Sequence, residues 1–260
     1  MGKNKPVGVI TGAAQGIGRR TAEILAERGY ALALNDLRES ADTLAAVRSA
    51  GAEADAFIGD ISDETFVERF AASVFDRWGR VDVLVNNAGI SFIAPAEEIS
   101  AKDFRRVLEV NLVAPFLLSK AFGRIMLGQK RGSIVNVSSI AGLAGIADRS
   151  AYNSSKHGLI GLTRTLAAEW GGHGVRVNAV CPGWVKTEMD AADQAGGSYS
   201  DQDIISRVPM GRFATPDDIA RAIAFLANPI EGAFINGHTL VVDGGWTADA
   251  SWDSLRLRHR

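Results

Sequence analysis

At 260 residues the chain is long for one domain and short for two, and its composition shifts abruptly nowhere, so one domain over 1–260 is expected. A hydrophobic fraction of 47% with 28 glycines suits a large core with many tight turns, and a net charge of −2 without a basic stripe gives no reason to expect nucleic acid. Cys181 is the only cysteine, which excludes a disulfide framework and a cysteine metal cluster and fits a reducing cytoplasm.

The first residues, MGKNKPVGVI, run straight into an apolar strand-like segment without the features of a signal peptide. Pro6 breaks the myristoylation pattern that Gly2 begins, and no apolar run approaches the length of a membrane span. A soluble, unlipidated protein with no membrane partner is expected. Strands are predicted at 7–10, 31–34, 81–85, 133–137, 175–180 and 239–242, as nearly continuous runs rich in Val, Ile and Leu. ADAFI at 54–58 is a weaker candidate. Between them, segments such as GRRTAEILAERG (18–29) and RAIAFLAN (221–228) carry apolar residues at helical spacing. The alternation predicts an α/β fold, a single-domain doubly wound parallel sheet with helices on both faces. From about 189 to 210 the rhythm breaks into a polar stretch with a Gly-Gly step at 196–197, read as a mobile substrate loop over about 188–210.

Directly after the first strand, TGAAQGIGRR places Gly12, Gly16 and Gly18 at a strand-to-helix turn. Such glycines let the backbone approach a pyrophosphate at a helix N-terminus, and equally they build a tight turn. Asp36 ends the second strand 18 residues past Gly18, near where an acid meets the adenosine ribose, and repels a 2′-phosphate. Gln15 and Leu37 offer no charge to neutralise one, whereas Arg38 is close enough to swing in; NAD is favoured. Further on, Asn111 lies in a predicted helix with Pro115 four residues later, so its carbonyl lacks the usual amide partner. Tyr152 and Lys156 stand four apart in SAYNSSKHG, on one face if helical, an arrangement that chance also produces. The four histidines, 157, 173, 238 and 259, show no metal-ligand spacing, and no catalytic metal is expected.

TGAAQGIG, NNAG at 86–89, Asn111, SIVNVSS with Ser139, YNSSK at 152–156, CPGWVKT at 181–187 and VVDGG at 241–245 follow in order. With these motifs at that spacing, the chain resembles the short-chain dehydrogenases/reductases, Rossmann-fold oxidoreductases, from about Val7 to Gly245. The resemblance implies cofactor contacts from Gly12, Gln15, Gly16, Ile17, Gly18 and Asp36, and from Asp60 beside the adenine with Ile61 as a wall. It implies others from Asn87, Ala88 and Gly89, from Pro182 and Gly183 at the nicotinamide, and from Val185 and Thr187 at the carboxamide. Catalysis is assigned to Asn111, Ser139, Tyr152 and Lys156, with Ser139 preferred over Ser138 by the family's spacing. The resemblance also has Lys156 grip the nicotinamide ribose and Asn111 link it to solvent through a water. A lysine ammonium about 4 Å from the phenol contributes roughly 4 kcal/mol at an effective dielectric of ~20, enough to bring tyrosine near pH 7 as a general base.

The substrate wall is expected from ISFIA (90–94), residues 140–149, Trp184 and the segment after Thr187. From Glu188 to Ser206 that segment has five acids and no lysine or arginine, which as a cover poorly suits anions and equally reads as a solvated outer face. A small-molecule substrate is therefore expected, with a neutral sugar, polyol or small hydroxy-ketone as the leading class. The alternative is a 3-oxoacyl-thioester (acyl-carrier-protein) reductase, and a more distant one is a non-catalytic dinucleotide-binding sensor. The tail, 246–260, with Trp246, Trp252, three arginines and a histidine, reads equally as a subunit-boundary element bordering an active site or as a frayed terminus. The resemblance implies a homotetramer that pairs the long helices carrying Asn111 and Tyr152.

Overall fold

The computed structural model describes residues 5–195, 197, 199–252 and 255. Seven parallel strands form one sheet in the order β3-β2-β1-β4-β5-β6-β7. They are β1 (Val7–Thr11), β2 (Ala31–Asp36), β3 (Ala54–Ile58), β4 (Val83–Asn86), β5 (Gly132–Val137), β6 (Val175–Pro182) and β7 (Thr239–Val242). Every predicted strand is present, the weaker candidate at 54–58 included. That segment reads weakly because β3 is an edge strand and only Ala54 in it is fully buried.

Successive strand residues point to opposite faces, so each central strand feeds two cores. Ile10, Leu32 and Leu34 pack on one side with α1 (Gly16–Glu27) and α9 (Pro216–Ala227), through Leu25, Ile219 and Ile223. Val9, Ala33 and Leu84 pack on the other with α3 (Glu64–Trp78) and α5 (Ala114–Gln129), through Phe70, Leu118 and Phe122. Phe70 meets Phe122 edge to face at 5.2 Å, and Phe57 at 4.8 Å. The remaining helices are α2 (Ala41–Ser49), α4 (Ala101–Leu108), α6 (Ser150–Trp170), α7 (Glu188–Gln194) and α8 (Asp201–Arg207).

Between β1 and β4 the strand order reverses, and the connections leaving their carboxyl ends diverge. This is where an open parallel sheet offers a crevice to a ligand. Two features differ from the sequence-based expectation. The segment read as an irregular loop folds into α7 and α8, and four of its five acids, Glu188, Asp190, Asp201 and Asp203, stand in first turns of these helices. Thr187 caps α7, and Ser200 and Asp203 cap α8 reciprocally. Gly196 of the expected Gly-Gly step, and Arg256, Arg258, His259 and Arg260 of the tail, lie outside the described residues. Secondly, α4, a π turn (Glu109–Val113) and α5 join into one helical run from Ala101 to Gln129, long and apolar enough to cross a membrane by length and composition. Over half of its most apolar window is buried inside the fold, as for a core helix.

Candidate functional site

The crevice begins at the turn after β1. Gly12 and Gly16 hold φ of +65° and +55°, a left-handed backbone that other residues rarely adopt. Gly18 serves packing instead: a Cβ there would stand 2.0 Å from the Gly12 carbonyl oxygen. Asn87 closes the turn from β4, its Nδ2 donating to the Thr11 and Gly12 carbonyls at 2.9 and 3.1 Å. The Thr11 hydroxyl accepts from the Asn87 and Ala88 amides, both at 3.1 Å. The Asn87 side chain is therefore spent on the turn, while the segment's backbone borders the crevice.

Asp36 stands at the end of β2, with Oδ2 accepting from the Ala14 amide at 3.0 Å and Oδ1 from the Arg38 amide at 3.2 Å. Arg38 reaches into the same corner. Its Nη2 donates to Gln15 Oε1 at 2.7 Å, and its Nε is 4.0 Å from Asp36 Oδ1. Asp60 and Ile61 follow Gly59, the residue of this turn that borders the crevice. The Asp60 carboxylate accepts from the Ser62 hydroxyl at 2.7 Å and from Arg106 at 3.0 Å. Burial pushes its pKa up, but the bonds from Ser62 and Arg106 outweigh that and hold it below the usual carboxylate range. Ile61 is buried in the core beside Phe70, and the crevice wall here is Gly59. On this tight turn Gly59 faces the crevice and Ile61, two residues on, faces the core.

At the other end, α6 carries Tyr152 and Lys156 on one face. Lys156 is buried, its Nζ donating to the Val137 carbonyl at 2.9 Å and lying 5.5 Å from the centroid of the Tyr152 ring. Burial pulls its pKa down to about 8. Tyr152 moves against expectation: burial pushes the phenol up, opposed by the Ser139 hydroxyl and the Arg149 charge. Lys156 is thus anchored beside the ring rather than committed to the hydroxyl. Ser139 lies at the start of a short turn after β5 and faces the crevice, whereas the Ser138 hydroxyl donates to the Lys156 carbonyl at 3.0 Å. Ser138 secures the helix, and the Ser139 hydroxyl accepts from the Ala141 amide at 3.1 Å.

Asn111 sits in the π turn, where the Ala114 amide bonds back to the Glu109 carbonyl. Its side chain clamps Ile90, accepting from the amide and donating to the carbonyl, both at 2.9 Å. It also donates to Ser155 Oγ at 3.2 Å, and Ser155 in turn donates to the Tyr152 carbonyl at 2.7 Å. This clamp was not legible in the sequence, because Ile90 and Ser155 meet Asn111 only through the fold.

Pro182 ends β6, and Gly183 packs so closely on Asp243 that a Cβ would meet its Cα at 2.8 Å. Val185 bridges to Ala214, and Thr187 caps α7. All the predicted site residues except Gly18, Asp60, Ile61 and Asn111 line one cleft. Three of the five acids, Glu188, Asp190 and Asp193, border it as well. Sequence reasoning missed the cation: Arg149 enters from the start of α6, paired with Asp193 at 2.8 Å and stacked over Trp184 at 5.6 Å. The acid count over 188–206 could not reveal it, since the arginine comes from another element.

Residues 12–247 match the family profile described as Enoyl-(Acyl carrier protein) reductase. The chain is 42% identical over 243 residues to D-threitol dehydrogenase of Mycolicibacterium smegmatis, covering 93% of this chain and 92% of that one. It is 43% identical over 244 residues to cis-4-hydroxycyclohexanecarboxylate dehydrogenase of Sinomonas cyclohexanicum, covering 93% and 96%. Among solved structures, it resembles a protein put forward as an NAD(P)-dependent gluconate 5-dehydrogenase from Beutenbergia cavernae, with NADP bound at low occupancy. That likeness has a TM-score of 0.88 at 39% identity, over 94% of this chain and 97% of the other.

Proposed function

The chain belongs to the short-chain dehydrogenase/reductase family, and from that premise we propose an NAD(H)-dependent interconversion of a secondary alcohol with its ketone. It is an oxidoreductase of alcohol and carbonyl groups that works with a nicotinamide dinucleotide. The observation that carries the finer reading is the layout of one cleft, with Asp36 at one end and Tyr152, Ser139 and Lys156 at the other. The glycine turn, where Gly12 and Gly16 hold left-handed backbone and border the cleft, fits the dinucleotide's pyrophosphate.

When bound, the nicotinamide supplies a hydride acceptor. The protein's part is to place the carbinol and move its proton. Tyr152 Oη takes the hydroxyl proton during oxidation and returns it during reduction. The Ser139 hydroxyl holds the reacting oxygen in reach of the phenol. Lys156, with a pKa of about 8, carries its charge at neutral pH and favours the phenolate. Asn111 keeps the Ile90 segment against α6, so the wall and the acid–base pair share one frame.

For the substrate we propose a neutral polyol, sugar or small hydroxy-ketone. The carboxylates of Glu188, Asp190 and Asp193 at the cleft support this, as does the likeness to an enzyme named for a four-carbon polyol. A homotetramer goes with the proposal, supported by exposed Phe116 on α5 and by Ile230 and Phe234 near β7. A cytoplasmic setting is supported by the lone, reduced, buried Cys181. The test is a steady-state panel of polyols, sugars, simple secondary alcohols and hydroxy acids with NAD, plus 3-oxoacyl-thioester reduction with NADH and NADPH. The reading expects kcat/KM highest on a polyol. Highest efficiency on the thioester would favour the reductase alternative, and dinucleotide binding without any turnover would favour a sensor.

A further inference from the structure

Among the described residues, Arg149 is a buried cation of the cleft that the proton chemistry does not use. It stands at the N-terminus of α6, three residues before Tyr152, and is 7% exposed. Its placement is enforced from the backbone outward. Asp148 holds φ of +59°, in the left-handed region, and its carbonyl accepts from the Ala94 amide at 2.9 Å. Ala94 and Arg149 form an isolated bridge, which ties the 90–94 segment to the start of α6. From this fixed point Arg149 Nη1 donates to Ser91 Oγ at 2.9 Å and to Asp193 Oδ2 at 2.8 Å. Asp193 arrives from α7 on the opposite side of the cleft, with its side chain 15% exposed. The ion pair therefore spans the substrate end from wall to cover.

A charge this buried requires a counter-ion, and an ion pair broken by removing one partner leaves the other uncompensated. A substrate carboxylate seeking Arg149 would have to displace Asp193 and leave that carboxylate buried without its partner. A hydroxyl group faces no such conflict. It can donate to Asp193 and accept from the guanidinium, whose five N–H groups exceed the two bonds that Nη1 makes here.

We propose that Arg149 and Asp193 form a charge filter, in which Asp193 masks Arg149 so that the pocket admits neutral polyols and refuses hydroxy acids. The filter rests on the polyol reading above. It makes the sign of the preferred substrate a property of one carboxylate. Taking that carboxylate away turns Arg149 into a carboxylate receptor of the bidentate kind that guanidinium groups favour.

The experiment measures kcat/KM, at saturating cofactor, for a straight-chain four-carbon polyol and for the hydroxy acid of the same length. The variants are Asp193→Asn, which is nearly isosteric, and the double variant Arg149→Met/Asp193→Asn. In Asp193→Asn the acid-to-polyol ratio is expected to rise at least tenfold, through KM for the acid, and in the double variant to fall back. A ratio within threefold of wild type in Asp193→Asn, or a rise that survives the loss of Arg149, overturns the filter. A wild-type enzyme that prefers the acid overturns the polyol reading itself, so the two failures are distinguishable.

Discussion

Tyr152 lines the cleft with Ser139, and its burial raises the pKa that a base needs lowered. The charges around it must therefore supply the difference, and removing the hydroxyl should show the full effect. Tyr152→Phe is expected to lower kcat by at least ~100-fold while leaving dinucleotide affinity close to wild type. Fluorescence titration with NADH, beside steady-state rates, separates the two; a variant keeping most of its kcat would sink the assignment. At the opposite end of the cleft, the same reasoning concerns Asp36 and Arg38. A 2′-phosphate close to Asp36 costs several kcal/mol at an effective dielectric of ~20, and the exposed guanidinium of Arg38 returns much of it. We expect an NAD preference of roughly tenfold in kcat/KM, or about 1.4 kcal/mol. Asp36→Ala should shrink or reverse it chiefly by improving NADP. Equal efficiencies in the wild type would mean that Arg38 fully offsets the acid.

Helices and turns carry the site into register, and Gly18 shows how tightly. In a helix interior alanine normally exceeds glycine by up to about 1 kcal/mol. At Gly18 the added methyl would sit 2.0 Å from the Gly12 oxygen and 2.6 Å from Asn87 Nδ2, so α1 must move off the β1 turn. Gly18→Ala is expected to destabilise by about 1–3 kcal/mol and to weaken dinucleotide binding. Gly128→Ala, on α5 with nothing within 4 Å of the added methyl, should be neutral or stabilising by up to about 1 kcal/mol. Urea midpoints for the pair check this, and equal effects would show that the close approach is illusory. The π turn makes a related point. Pro115 signals that the α pattern is interrupted, but the side chain that profits, Asn111 on Ile90, is set by how the helix meets the 90–94 segment.

At the scale of the whole molecule, burying an ionisable lysine has a pH signature. Lys156 releases its proton near pH 8 when folded, whereas an unfolded lysine holds it to about 10.4. Between those values the unfolded chain binds more protons, so stability rises with pH; below about 8 the buried charge costs on the order of 3 kcal/mol. The stability difference between Lys156→Met and wild type should therefore favour the variant most below pH 8 and narrow toward pH 10. A difference flat across that window would mean the ammonium is not desolvated. The strands in chain order, their alternation with helices, the glycine turn, Asp36 and the Tyr152–Lys156 spacing were all legible in the sequence. Each depends on contacts within one segment, on the apolar periodicity of a strand, or on motifs at family spacing. The helices α7 and α8 lie in the segment read as a loop over about 188–210, because caps such as Ser200 and Asp203 make a short helix look merely polar. Which neighbours border the crevice at Asp60 and Ile61 is decided by the tight turn, which pairs Asp60 with Arg106 and packs Ile61 in the core. What only the tertiary structure decided is the partnering of distant side chains. Asn111 on Ile90, Arg38 on Gln15, and Arg149 with Asp193 join residues 21, 23 and 44 positions apart. Composition records that those charges and amides exist, but burial and pairing, which set what they do, arise only when the sheet brings their loops to one end.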